Sequence, residues 1–407
     1  MAGIFVSKFG LLTEQLSRRI LILDFRHLKK ELKMDEKTAR EKIYAVEHEV
    51  KKWLFGIDPA IHNLLMCLFT LVPYTSKAGR KELGQAHALL IDLPGVGKTD
   101  LIRGFAFAIG GKYALITGGP EKTEGEVVGK NIYIAPLGKF ILQKGPIFRN
   151  LILFDEINRT HPKGQSAFLQ AMEERLATIG SIDLEAGGLK EDNFPLFPIS
   201  DDPNEKDMFF WVMATQNPLE QQGTYPLPEA QRDRFTASLS IGFPQRENEK
   251  MIRARNVLVD AKGERLQIEQ VLDLKEAILI SQLILETVSV PGRGNNGSDL
   301  VDEYIMRLIE NSRPGSDKRL HSTDELKEFV DENLKAGISP RANFHFEALA
   351  RTRAFFEGRM HVDLNDIKYV APLIMTHRLI TSPIATGANI KEADIVKKIL
   401  EGTEVPS

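Results

Sequence analysis

The stretch LPGVGKTD at 93–100 carries residue types that cradle a polyphosphate. Within Pro94-Gly95-Val96-Gly97-Lys98, backbone N–H groups can wrap an anion only where glycines leave room, and the start of the following helix adds partial positive charge. Lys98 reaches for the outer phosphates and the Thr99 hydroxyl for Mg²⁺. Asp92 stands where the eight-residue phosphate-loop pattern has its first glycine, at the strand end farthest from the terminal phosphate. A second group is LILFDEINR at 151–159, an apolar run ending in paired carboxylates. Asp155 suits a metal shell, and Glu156 can accept a proton from an attacking water. A third is MATQNP at 213–218, where the Asn217 amide can orient that water, although an Asn-Pro pair also starts turns. In GTYPLPEAQRDRF at 223–235, Arg232 and Arg234 flank Asp233; either arginine can meet transition-state charge, or the segment is simply an ion-paired helix. GISPRA at 337–342 reads as a helix start with Ser339 as cap, Pro340 in the first turn and Arg341 beside them. A cation there opposes the helix dipole, which makes Arg341 a candidate phosphate contact.

These groups need a scaffold that brings strand ends together. Five short apolar runs alternate with helical stretches, at 88–92, 113–117, 151–155, 209–215 and 237–243. Their near-continuous apolarity predicts a parallel sheet buried on both faces and covered by helices. Helical spacing runs from Leu11 to about Trp53, with the charged part from Lys29 to Lys52 expected as a solvated face. A helix is expected over Glu247 to Val288, a loop at 291–298, and further helices beyond it. The expected divisions are an N-terminal helical extension at 1–48, an α/β core at 49–246 and a helical domain at 247–407.

Composition narrows the function. The chain has 407 residues, enough for two or three domains. With 53 basic and 56 acidic residues the net charge is −3, which opposes an evenly basic nucleic-acid-coating protein but allows a local basic groove. The single Cys67 excludes an intrachain disulfide and reads as a buried small hydrophobe. The histidines show no metal-ligand spacing. No uncharged run approaches a membrane span and no signal peptide is evident, so a cytoplasmic chain is expected.

The stretches QKGPIF at 143–148, LFDEINR at 154–159, HPKGQSAFLQAMEER at 161–175, ATQNP at 214–218, GTYPLPEAQRDRF at 223–235 and GISPRA at 337–342 resemble, in order and wording, the MoxR branch of the AAA+ ATPases. The resemblance spans roughly residues 50 to 380. It implies an AAA+ P-loop core followed by an all-helical lid, ATP and Mg²⁺ as ligands, and a ring of six subunits. Pro94, Gly95, Val96, Gly97, Lys98, Thr99 and Asp100 become the nucleotide loop, with Thr99 and Asp155 at the metal. Glu156 becomes the base, Asn217 the first sensor, Arg234 the finger offered to a neighbour and Arg341 the second sensor. Gly56 and Ile57 would line the adenine pocket. The function implied is ATP-driven remodelling or assembly of client proteins, including one with a von Willebrand factor A domain, without membrane insertion. Residues 181–208 form an acidic insertion at the place of the pre-sensor hairpin. Two rivals are weighed: a nucleic-acid motor or restriction-type AAA+ subunit, which needs a basic aromatic-bearing pore loop and is disfavoured by the acidic 181–208 segment, so that no nucleic-acid partner is expected, and a scaffold that binds ATP without turnover, which Glu156, Asn217 and Arg234 together oppose.

Overall fold

In a computed structural model the chain is described at residues 34–75, 81–91, 97–183, 188–196, 209–217, 223–242, 268–291 and 300–406, with positions 32, 79, 246–248 and 250. α1 (Glu36–Lys51) and α2 (Asp58–Phe69) lead to an antiparallel hairpin of β1 (Leu71–Thr75) and β2 (Lys81–Gln85). β3 (Ala88–Ile91), α3 (Lys98–Ala108) and β4 (Tyr113–Thr117) follow. Next come α4 (Glu124–Val127), a hairpin of β5 (Gly129–Ile134) and β6 (Lys139–Lys144), and β7 (Leu151–Asp155). α5 (Pro162–Glu174) precedes a third hairpin, β8 (Leu176–Asp183) with β9 (Gly188–Pro195). β10 (Trp211–Gln216), α6 (Glu229–Arg232) and β11 (Ala237–Leu239) complete the α/β part. The rest comprises α7 (Leu274–Thr287), α8 (Leu300–Asn311), α9 (Asp324–Asn333), β12 (Leu334–Ala336), α10 (Ala342–Phe356), α11 (Leu364–Met375), β13 (Ile380–Thr381), α12 (Pro383–Gly387) and α13 (Glu392–Gly402).

The five expected strands form one sheet in the order β11-β3-β10-β7-β4, every pair parallel. Alternation along each strand fills two cores. Leu151, Leu153, Trp211 and Met213 face one, and Ile152, Phe154, Val212 and Ala214 face the other. β4 departs from the expected burial on both faces, with Leu115 and Thr117 exposed, because it is an edge strand. The sheet therefore has two functional edges. The strands' carboxyl ends lie along one, and the segments that enter the strands lie along the other.

The N-terminal expectation needs correction. Asp35 is extended and caps α1, accepting from the Thr38 N–H at 2.7 Å, so the helix does not run continuously from Leu11; residues 1–31 lie outside the described part. α1 buries Ala39, Ile43, Val46 and Val50 in the main core. Even its charges are used. Glu47 pairs with Lys51 at 2.9 Å, Lys42 with Glu276 at 2.5 Å, and Glu49 accepts from the Glu269 N–H at 3.2 Å. The face is not simply solvated, and a division at 48/49 falls inside the helix. Helix at 246–248 and 250 accords with the start expected at Glu247, but the run is not continuous to Val288: residues 251–267 lie outside the described part, 268–273 are non-helical, and α7 begins at Leu274 behind a capping box made by Asp273 and Glu276. Among the described residues the C-terminal part is mainly helical, with the short antiparallel pair β12–β13 and two isolated bridges, Ser289 with His361 and Ser322 with Thr403.

Candidate functional site

The carboxyl edge of the sheet gathers the first set of candidate residues. Pro94, Gly95 and Val96, with Asp92, lie outside the described residues; Gly97, Lys98, Thr99 and Asp100 are described. Gly97 sits at φ 83°, the left-handed region that glycine enters at no steric cost, and it precedes α3. α3 therefore starts at Lys98, and its positive dipole end lies beside Gly97 and Lys98. Lys98 is 7% exposed, and its Nζ lies 3.4 Å from Asp155 Oδ1. A nearly buried ammonium that pairs, among the described residues, with a carboxylate of its own candidate metal role fits a site built for an anion. The hard oxygens of Thr99 and Asp155 are donors that suit Mg²⁺. A Cβ on Gly97 would lie 3.3 Å from Leu54 Cδ2, so the segment before α2 abuts the loop. Gly56 in that segment has φ 78° and Ile57 is buried.

β7 delivers Asp155 and Glu156 beside this loop. Glu156 adopts φ 53° and ψ 48°, a left-handed conformation uncommon for a residue with a side chain. Its N–H donates to Thr215 Oγ1 at 2.8 Å, and Thr215 Oγ1 donates to Asp155 Oδ1 at 2.6 Å. One buried hydroxyl on β10 thus links the Glu156 backbone to the Asp155 carboxylate. The tip of β4 closes the other side. The Gly118 N–H donates to the Asp155 carbonyl at 2.7 Å, and a Cβ on Gly118 would lie 2.0 Å from the Glu156 carbonyl oxygen. Only glycine fits there. Arg159 Nη1 stands 3.1 Å from Glu156 Oε2. Buried Gln165 holds the following turn by donating to the Ile157 and Tyr225 carbonyls at 3.0 and 2.9 Å. Asn217, one residue beyond β10, is buried at the same edge.

Arg234 and Arg341 lie elsewhere. Arg234 enters β11 from its amino end, where Ala237 pairs with Ala88 at the start of β3. α5 leaves the carboxyl edge after Asp155 and Glu156, and its 13 residues carry the chain about 20 Å back to the amino edge. There Arg175, at its C-cap, donates to the carbonyls of Gln85 and Phe210, each at 2.6 Å and each just ahead of a sheet strand. At this end Glu173 faces both arginines, with Oε2 at 3.0 Å from Arg234 Nη2 and Oε1 at 3.9 Å from Arg341 Nη1. Both guanidinium groups therefore converge on one carboxylate at the edge away from Lys98.

Ser339 does not cap α10. Arg341 is the N-cap, and the Ser339 hydroxyl donates instead to Asp233 Oδ2 at 3.0 Å. The competing acceptor is a buried carboxylate that also receives Arg378 Nε at 2.7 Å. Burial alone would raise the Asp233 carboxyl, but Arg378 and Ser339 hold it below the usual carboxylate range. Arg378 spends its other N–H groups on the carbonyls of Asp233, Phe235, Thr236 and Ile374. His377 contacts Ser238 Oγ and the Phe235 carbonyl, both at 3.0 Å, and burial drives its imidazole well below its ordinary value. Thr215, Gly118 and Glu173 were not singled out from the sequence. A hydroxyl two residues before Asn217 and an acid in the last turn of α5 were visible, but their partners depend on strand order.

A phosphate loop between β3 and α3, carboxylates on the next-but-one strand and a helical lid define a P-loop ATPase module. Residues 87–189 and 197–237 match the ATPase family associated with various cellular activities (AAA), and 326–399 match the AAA lid domain. The chain is 33% identical to the Bacillus subtilis protein YeaC over 80% of its own length and 87% of that protein's. It is 29% identical to the Mycobacterium tuberculosis chaperone MoxR1, covering 88% of this chain and 81% of the relative. The MoxR protein of Methylorubrum extorquens is 26% identical over 88% of this chain and 94% of its own. A crystallised candidate ATPase from Cytophaga hutchinsonii superposes with a TM-score of 0.71 at 28% identity, covering 93% and 99% of the two chains. The chain belongs to the MoxR family of AAA+ ATPases.

Proposed function

We propose that the protein hydrolyses ATP at the junction between subunits and uses the cycle to remodel or assemble client proteins. The observation that carries this reading is the separation of two half-sites on one sheet. Lys98, Asp155, Glu156 and Asn217 occupy the carboxyl edge, and Arg234 with Arg341 occupies the amino edge. Bound Mg²⁺ would neutralise phosphate charge and order the leaving oxygens. Lys98 holds the outer phosphates, Thr99 and Asp155 hold the metal, and Glu156 takes the proton of the attacking water. Asn217 orients that water. Arg234 and Arg341 stabilise developing charge on the nucleotide of an adjacent subunit, which a six-membered ring supplies. Gly56 and Ile57 border the base, and Pro94 to Val96 with Asp100 complete the loop. The working divisions are an α/β part that takes in α1 and runs to 246, and the lid at 247–407, in a cytoplasmic protein. MoxR1 carries the name of a chaperone, which supports the client reading, and a partner with a von Willebrand factor A domain follows from the resemblance alone.

The test mixes two single-site variants. Lys98→Ala keeps the arginines and Arg234→Ala keeps the nucleotide loop, so each is inactive alone and their mixture recovers part of the turnover. A mixture that co-assembles yet stays inactive overturns the shared site.

One feature favours a nucleic-acid motor as the second reading. The β5–β6 hairpin exposes Ile132, Tyr133, Leu137 and Ile141, pairs Tyr133 with Phe140 at 5.2 Å, and carries Lys130, Lys139 and Lys144 with no acid between 129 and 144. Turnover stimulated by single-stranded DNA or RNA would select it.

A further inference from the structure

Glu173 and Glu174 end α5, whose last turn holds no basic residue. Acids there oppose the partial negative charge of a helix C-terminus, and Arg341 at the cap of α10 opposes the partial positive charge of a helix N-terminus. The two misplaced charges face each other. Glu173 presents one oxygen to Arg234 and the other to Arg341, so a single carboxylate offsets the repulsion between two guanidinium groups. Arg341 is 69% exposed and Glu173 38%, whereas the fixed ion pair nearby, Asp233 with Arg378, is largely buried. The Glu173 contacts are thus weak and separable.

Resting on the reading of Arg234 and Arg341 as arginines given to a neighbour, we propose that Glu173 is a positioning residue: it holds both in the free subunit and is displaced by the terminal phosphate of the neighbour's nucleotide. The phosphate carries more charge than a carboxylate and offers more acceptor oxygens, so it wins the exchange once the subunits meet. Before that, Glu173 keeps the pair gathered at one point and weakens assembly, because each contact must be given up.

The full-length protein is followed by sedimentation at graded concentration with ATPγS, with ADP and without nucleotide. Glu173→Gln, which keeps shape and removes charge, lowers the protein concentration at half-assembly with ATPγS roughly three- to tenfold, the range for one or two partly exposed ion pairs. With ADP or no nucleotide it changes nothing, since no terminal phosphate competes. In the Arg234→Ala background the ATPγS effect shrinks. An unchanged or raised midpoint with ATPγS, or an equal shift with ADP, overturns the proposal. A purely structural role would move all three conditions together, and Glu173→Asp, which keeps charge with a shorter reach, stays nearer wild type than Glu173→Gln. Full turnover by Arg234→Ala would instead overturn the intersubunit reading itself, so the two failures are distinct.

Discussion

The two edges of the sheet differ in what they can accomplish alone. At the carboxyl edge one chain gathers Lys98, Asp155 and Glu156, the proposed anion binder, metal ligand and base, and fixes the two carboxylate residues and the turn after them through contacts with Thr215, Gly118 and Gln165. At the amino edge the two arginines share, among the described residues, one internal carboxylate, Glu173. The first edge is built to be rigid and the second to be exchangeable. The pair teaches that pre-organisation and release are separated by about the length of one helix, α5.

The strongest way to break this contrast is Arg234→Ala. Turnover should fall by roughly 10³-fold or more, the scale of a lost arginine finger, while ATP binding by the single chain stays near wild type. Stopped-flow hydrolysis with calorimetry checks both halves. Glu156→Gln should come next, lowering turnover by about 10²- to 10⁴-fold with nucleotide binding retained. If binding and turnover fall together, Glu156 belongs to the metal shell and the base lies elsewhere. Thr215→Val sharpens the contrast more gently. It removes the hydroxyl shared by Asp155 and the Glu156 N–H, so about a tenfold loss in kcat is expected from one or two buried hydrogen bonds, with little change in assembly.

A further effect, on stability rather than turnover, concerns pH. Burial lowers the imidazoles of His87 and His377 well below their ordinary value of 6.5. The folded protein then holds them neutral while the unfolded chain protonates them. More protons bind to the unfolded state below pH 6.5, so stability falls as pH drops from there, by up to about 1.4 kcal/mol per pH unit for each histidine. Asp233 works in the same direction at lower pH: its depressed carboxyl contributes stability above the ordinary carboxylate range and loses it as pH falls. Thermal unfolding between pH 7 and 5 should show the loss, and His377→Gln should flatten its slope.

The sheet was legible because buried parallel strands leave unbroken apolar runs; Tyr113–Thr117 and Leu151–Asp155 begin and end where the sequence suggested. The edge exposure of β4 was not, since strand order is a tertiary property. The carboxylates, Lys98 and the arginines stood out by type and spacing. Thr215 did not, because its value comes from lying beside Asp155 on a strand some 60 residues away in sequence. Ser339 misled for a similar reason: a local cap was outcompeted by Asp233, 106 residues distant. Helix boundaries at Asp35 and Asp273 were written in capping residues that the broader charge pattern obscured.

The buried junction of Asp233 with Arg378, closed by His377 and Ser339, has a mechanical meaning. Asp233 is flanked by Arg232 and Arg234, while Arg378 and His377 follow α11 of the helical domain. Breaking a buried charge pair costs several kcal/mol, so these two segments travel as one lever arm. In the proposed assembly, a swing of the helical domain would carry Arg234 with it, toward or away from the adjoining subunit. Around a closed assembly such arms all point the same way, which gives the motion a handedness that no single subunit possesses.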